Sequence, residues 1–305
     1  MAKKKDEKAR LRAKAIMKDN LTGYAFLAPN ITGFLIFTLF PVLASLLLAF
    51  SKWDILTPMK FVGIKNFITL FQDKLFWKYF LNTLFFMLGI PIGMAVSLSL
   101  ALLVNQKMKR MVIFRTIFFL PVVSSMVAVA LLWRWIYNPD FGLLNSFLRW
   151  IGISNPPQWL SSTVWAKPAI MIMWIWKGAG YNMLLYLAGL QGIPPQLYEA
   201  ADIDGANGWQ KFWNITWPML GPTNFFIVIM SVIGGFQAFG EIYVMTGGGP
   251  AGSTTTIVYY IYNNAFQWFK MGYASSISWF LFILIFLVTL FQWKYAGNKV
   301  EYSVS

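Results

Sequence analysis

Apolar residues in this chain arrive in long unbroken runs, separated by short polar stretches. Six runs stand out, at 24–50, 79–104, 113–137, 165–190, 223–245 and 273–293. Each is at least as long as the ~20 mostly apolar residues that an α-helix needs to cross a bilayer. The runs are continuous, whereas a membrane β-strand alternates apolar and polar positions, so the pattern excludes a β-barrel. It predicts an all-α polytopic membrane protein with six transmembrane helices. Pro41, Pro91 and Pro121 lie within or beside these runs and predict kinks, which membrane helices tolerate. Tryptophan and tyrosine gather at the predicted ends, as residues of an interfacial belt do.

Composition agrees with the pattern. The chain is 58% hydrophobic and 12% charged, about half the charged share of a soluble domain. Its net charge of +14 does not point to nucleic acid, because the basic residues sit in a tail and in short loops. Segment 1–23 is basic, is too charged for a cleavable signal and is expected as a cytoplasmic tail. Lys107, Lys109, Arg110 and Arg115 fall two spans later, on the same side. Lys52, Lys60, Lys65, Lys74 and Lys78 occupy the intervening loop, diluted by Asp54 and Asp73. The bias predicts cytoplasmic termini, a six-span domain over 24–294 and a cytoplasmic tail over 295–305. The outer loop 137–162, aromatic and proline-bearing, predicts short interfacial helices. With no cysteine and no histidine, thiol nucleophiles, zinc sites and imidazole acid–base chemistry are excluded.

One polar segment needs its own account. Between the fourth and fifth runs, 191–222 is turn-rich and carries three carboxylates, Glu199, Asp202 and Asp204. Pro194 and Pro195 open a helix, since proline suits the first turn. "QLYEAADI" then gives about two turns with Ala200 and Ala201 on a small face. "DGANG" breaks the helix, because glycine and asparagine tolerate positive φ. "WQKFWNITW" resumes a helical spacing of aromatics, and Pro218 and Pro222 end it and start the next span. The product is a compact helix–turn–helix beside the membrane, its bend made of small residues fit for a groove on a partner.

The same residues carry a family resemblance. "EAADIDGANGWQKFWNITWP" resembles the signature of permease subunits of bacterial ATP-driven importers, on Glu199, Ala200, Ala201, Gly205, Ile215 and Pro218, with Asp204 beside the glycine. Trp217 stands where leucine is usual. "IPPQLYEAADIDGA" and "YVMTGGGPAGSTTTIVYYIYNNAF" are similar to the carbohydrate branch, in particular to the first permease of maltose and glycerol-phosphate importers. The resemblance implies a type I importer permease fold in the bacterial inner membrane. It implies a second, homologous permease of different sequence, two cytoplasmic ATPase subunits that receive the helical elbow, and an external sugar-binding protein. ATP and magnesium would be bound by the ATPase partner and no cofactor by this chain, whose other contact is lipid. Glu199 is expected to pair with a basic group or to cap backbone amides, and Gly205 to permit close approach.

Candidate sugar contacts are the polar and aromatic residues inside spans, where polar groups are costly. The fourth run offers Trp174, Lys177, Gly178, Tyr181 and Asn182. The fifth offers Gly235, Gln237, Ala238 and Glu241. Asn82, Thr83, Asn263 and Asn264 lie at span ends. Planar hydrogen-bonding groups suit hydroxyls, and aromatic faces suit the CH side of a pyranose. In maltose-type relatives, Gly178 and Tyr181 match pocket positions of the same type, while Gly235 and Ala238 stand where asparagine is found. Lys177 has three open roles: snorkelling to the outer interface, pairing with Glu241, or meeting an acidic sugar. Glu241 is expected near the outer end of its span, as surface. A translocation subunit of a sugar importer, with no catalytic site, is therefore the leading reading. "TGGGPAGS" lacks the lysine of a phosphate-binding loop. The alternative, a stand-alone ion-coupled transporter, calls for mid-membrane carboxylates and internal repeats.

Overall fold

A computed structural model describes residues 2–106 and 111–296. Lys107, Lys109, Arg110 and most of the expected C-terminal tail lie outside the described residues. Helix α1, Ala2–Phe34, passes through a π-turn at Leu35–Leu39 into α2, Phe40–Ala49. A two-stranded antiparallel ribbon follows, β1 at Ser51–Lys52 and β2 at Lys60–Phe61. Next come α3 (Lys65–Gln72), α4 (Lys74–Met87), α5 (Gly89–Val104), α6 (Met111–Val123), α7 (Met126–Ile136) and α8 (Leu143–Trp150). The long α9 is Ala166–Gln191. The polar segment forms α10 (Pro195–Ile203), α11 (Gly208–Lys211), a π-turn at Phe212–Thr216 and α12 (Trp217–Met219). The chain ends with α13 (Gly221–Phe236), α14 (Gly240–Met245), α15 (Ile257–Tyr262) and α16 (Met271–Ala296).

Every expected apolar run is helical, but several are broken, and the prolines explain where. A proline ring removes one N–H and frees the carbonyl four residues back. The π-turn ends just before Pro41, and the α4–α5 step at Leu88 falls three residues before Pro91. After Pro121, α6 stops and α7 restarts at an angle of 98°. By length and apolarity three helices qualify as spans among the described residues, Ile16–Ala49, Lys74–Val104 and Met271–Lys294. Each bent pair, α6–α7 and α11 through α13, adds one more if counted as a single span. α9 is as long, 26 residues, but is more polar. The basic segment up to residue 23 is helical, forming the first six turns of α1, because its Ala, Lys, Arg and Glu are strong helix formers.

α9 is the central element. Its first half, with Ala169, Ile170 and Met173, packs into a core with Phe86, Val129, Tyr137 and Ile242. Its second half, with Met183, Tyr186, Leu187 and Leu190, packs against Leu98, Ala101, Leu220 and Ile227. Glycine lets the backbones meet. A Cβ at Gly180 would overlap the Phe118 carbonyl of α6, and one at Gly189 would lie 2.6 Å from Thr223 Oγ1. Small residues at such crossings are how membrane helices gain packing without a hydrophobic driving force.

Candidate functional site: a coupling elbow and a polar cleft

The elbow is built from local code. Pro195 occupies the first turn of α10, and Gly205 terminates it at φ +74°. The Ala206 N–H reaches back to the Ala201 carbonyl at 2.8 Å, the six-to-one bond of a glycine-terminated helix. Asn207 then starts α11 with a reciprocal capping box, its Oδ1 accepting from Gln210 N at 3.0 Å while Gln210 Oε1 accepts from Asn207 N at 2.8 Å. Lys211 and Asp202 form an ion pair across the bend.

Behind the bend, the elbow is tied to the bundle. Tyr198 and the buried Thr216 share a hydrogen bond of 2.9 Å. Ile215, half-buried, packs with Tyr198, Phe212 and Met219 against the core around Leu190 and Leu220. Tyr186 of α9 donates to Asn224 of α13 at 2.7 Å, so both helices that flank the elbow are joined at its base. The elbow meets α13 at a bend of 63°.

The opposite side is open. Glu199, Ala200, Asp204, Gly205 and Pro218 are exposed, and Ala201 is half-buried. Glu199 makes no side-chain hydrogen bond to a described residue, so neither intrachain role expected of it is found here. A Cβ at Gly205 would meet nothing within 4 Å. Two apolar side chains stand out beside these, Ile203 at 87% and Trp209 at 71% exposure. The sequence reading passed over Ile203; an aliphatic residue between two aspartates at a helix end was its signal.

The candidate sugar residues divide into groups. Trp174, Gly178, Tyr181 and Asn182 line one cleft of about 350 Å³ with Gly93 and Ser97 of α5 and Met230 and Ser231 of α13. Nothing lies within 4 Å of a Cβ at Gly178, so this glycine keeps the wall open. Tyr181 is half-exposed. Gly235, Ala238 and Glu241 line a second crevice together with Trp174. That crevice measures about 10 Å³, room for about one water. Gln237 is exposed where α13 ends. Ser97 and Ser231 were missed, since serines in apolar helices usually bond their own backbone; Ser97 does so, to the Gly93 carbonyl at 2.6 Å.

Lys177 is not in the cleft lining. Its Nζ donates to the carbonyls of Pro121, Ser124 and Val122 at 3.0, 2.9 and 3.4 Å. These are the acceptors released by the break between α6 and α7. The ammonium therefore does not pair with Glu241. Glu241, expected as surface, is buried at 6% exposure, because the break after Phe236 turns α14 back into the bundle. Asn82 and Thr83 are also committed. Asn82 Nδ2 donates to the Gly252 and Thr255 carbonyls at 3.0 Å each, and Thr83 Oγ1 accepts from Ile257 N at 3.0 Å. They clamp the glycine-rich loop, and Lys167 donates to Asn82 Oδ1 at 3.2 Å.

Comparison with known proteins gives this arrangement a context. Residues 89–295 match the sequence profile of the binding-protein-dependent transport system inner membrane component. The chain is similar to the probable ABC transporter permease YesP of Bacillus subtilis, 38% identical over 95% of each chain. It is 39% identical to the lactose transport permease LacF of Rhizobium radiobacter, over 92% of this chain and 95% of that one. Among solved structures it resembles a bacterial ABC transporter involved in import of the acidic polysaccharide alginate. The TM-score is 0.83 at 29% identity, covering 95% of this chain and all of the other.

Proposed function

The chain belongs to the family of binding-protein-dependent transport system inner membrane components, and from that premise we propose that it is one translocation subunit of an ATP-driven oligosaccharide importer. It forms half of a pathway completed by a second, different permease. A sugar-binding protein delivers substrate at the end of the bundle away from the elbow. Two ATPase subunits, which hold ATP and magnesium, receive the elbow at the other. The elbow end and both termini face the cytoplasm. The observation that carries this reading is the elbow itself, braced toward the bundle and open toward its tip.

Force transmission requires stiffness between motor and spans. The Lys211–Asp202 pair, the capping box and the Tyr198–Thr216 bond stiffen the bend. Ile203 and Trp209 are the apolar anchors that fill a motor cleft, since a few buried aliphatic and aromatic side chains carry most of an interface's energy. Gly205 lets the partner backbone come close. In the pathway, Trp174 and Tyr181 supply ring faces, while Asn182, Ser97 and Ser231 supply hydrogen bonds to hydroxyls. Gly235, Ala238 and Glu241 become reachable when the crevice behind Trp174 opens. A sugar panel that includes lactose, maltotriose and an alginate trisaccharide, assayed with reconstituted complex and binding protein, tests the reading. Uptake of a saccharide that stops without ATP or without binding protein is expected. Uptake driven by an ion gradient alone would overturn it.

A further inference from the structure

At the end of the bundle opposite the elbow, two segments present a set of touching aromatic rings. Phe239, just before α14, and Tyr243 of α14 stack with centroids 5.6 Å apart at 30°. Tyr262, at the end of α15, and Phe266, in the π-turn that follows, lie 5.4 Å apart. The pairs join through Phe239–Tyr262 at 5.2 Å and Tyr243–Tyr262 at 5.6 Å. Beneath them lies Tyr259, buried at 7% and in ring contact with Phe239, Tyr243 and Tyr262. The outer rings are open, Tyr243 at 47% and Phe266 at 61% exposure. This is a supported aromatic sheet with one free face.

The sheet continues from the polar cleft. Met230 lines that cleft, and Met230, Gly234 and Gln237 are exposed at successive turns of one helix face. The stripe ends at the break where Phe239 begins. A single belt residue needs no ring neighbours, whereas these rings brace one another and carry two phenol hydroxyls, and the exposed Gln237 precedes Phe239 by two residues. Ring faces of negative potential attract the polarised CH groups of a pyranose, and the hydroxyls and amide answer its OH groups.

We infer that Phe239, Tyr243, Tyr262 and Phe266 form a landing platform for pyranose rings, taken up there before they enter the cleft. The inference rests on the sugar-import reading. It adds a site one step ahead of the cleft and gives it a kinetic role, capture rather than passage.

The test uses the complete complex with its binding protein, and uptake of lactose, maltotriose and an alginate trisaccharide. The Tyr243→Ala/Phe266→Ala double variant is expected to raise KM for the transported sugar about ten-fold, the effect of losing two ring contacts, with kcat little changed. Tyr243→Phe with Phe266→Trp is expected to restore it. Co-purification of the second permease is expected to be unaltered. Loss of that subunit from the double variant would assign the platform to the subunit interface and overturn the inference. Unchanged KM would overturn it equally. If the unaltered complex imports none of the three sugars, the sugar reading fails and the platform fails with it.

Discussion

Substitution of Gly205 separates two demands that one glycine meets. The backbone there sits at φ +74°, a region that costs an ordinary L-residue ~1–2 kcal/mol and asparagine less. Nothing within 4 Å would oppose a Cβ inside this chain, so no steric cost adds to the strain. Gly205→Ala should therefore weaken the elbow by ~1–2 kcal/mol and Gly205→Asn by less, with the bundle intact. Docking adds a second cost. Forcing a larger side chain into a close-packed contact costs ~1–3 kcal/mol, about ten- to hundred-fold in association. Asparagine thus relieves the turn but obstructs the contact. The assays are thermal unfolding of the purified permease pair and ATPase co-purification with ATP-driven uptake. Gly205→Asn is expected to unfold near the unaltered temperature yet lose ATPase and transport at least about ten-fold. An asparagine variant that couples normally would refute the docking argument and leave Gly205 a turn residue alone.

Three further outcomes follow from the geometry. Lys177→Met strips the donor from three carbonyls at the α6–α7 break; it should destabilise the fold by about 2–4 kcal/mol in thermal unfolding without altering sugar preference. Gly180→Ala drives a methyl into the Phe118 carbonyl, and a loss of about 2 kcal/mol or more is expected from the same measurement. Burial raises the Asp73 carboxyl, but hydrogen bonds from Tyr260, Tyr273 and the Leu75 and Phe76 amides outweigh it and hold it below the ordinary 3.8. A lowered folded value means stability that is complete above 3.8 and lost as pH falls through the folded value. Melting temperature against pH should show this acid limb, and Asp73→Asn should flatten it.

Local chemistry was legible along the chain. The elbow could be read almost residue by residue, because prolines, Gly205 and Asn207 act within a few positions of themselves. The apolar runs located the helices for the same reason. Direction was not legible. Hydropathy counts the residues of 223–245 as one span and does not register the break after Phe236, which depends on the Thr256 hydroxyl holding the Ala238 carbonyl at 2.7 Å. Lys177 looked like a pathway charge because its acceptors lie over 50 positions earlier in the chain. Glu241 looked like surface because its burial follows from that same break.

The absence of cysteine from the chain makes one measurement especially direct. Cysteine placed at the exposed Ala200 is the sole thiol in this subunit, and a short bifunctional reagent applied to the assembled complex reports what lies against the elbow. A nucleotide-hydrolysing subunit captured from that position, with protection by prior ATPase assembly against membrane-impermeant thiol reagents, is the predicted result. No captured ATPase, or labelling of Ala200→Cys from the outside of intact cells, would contradict it.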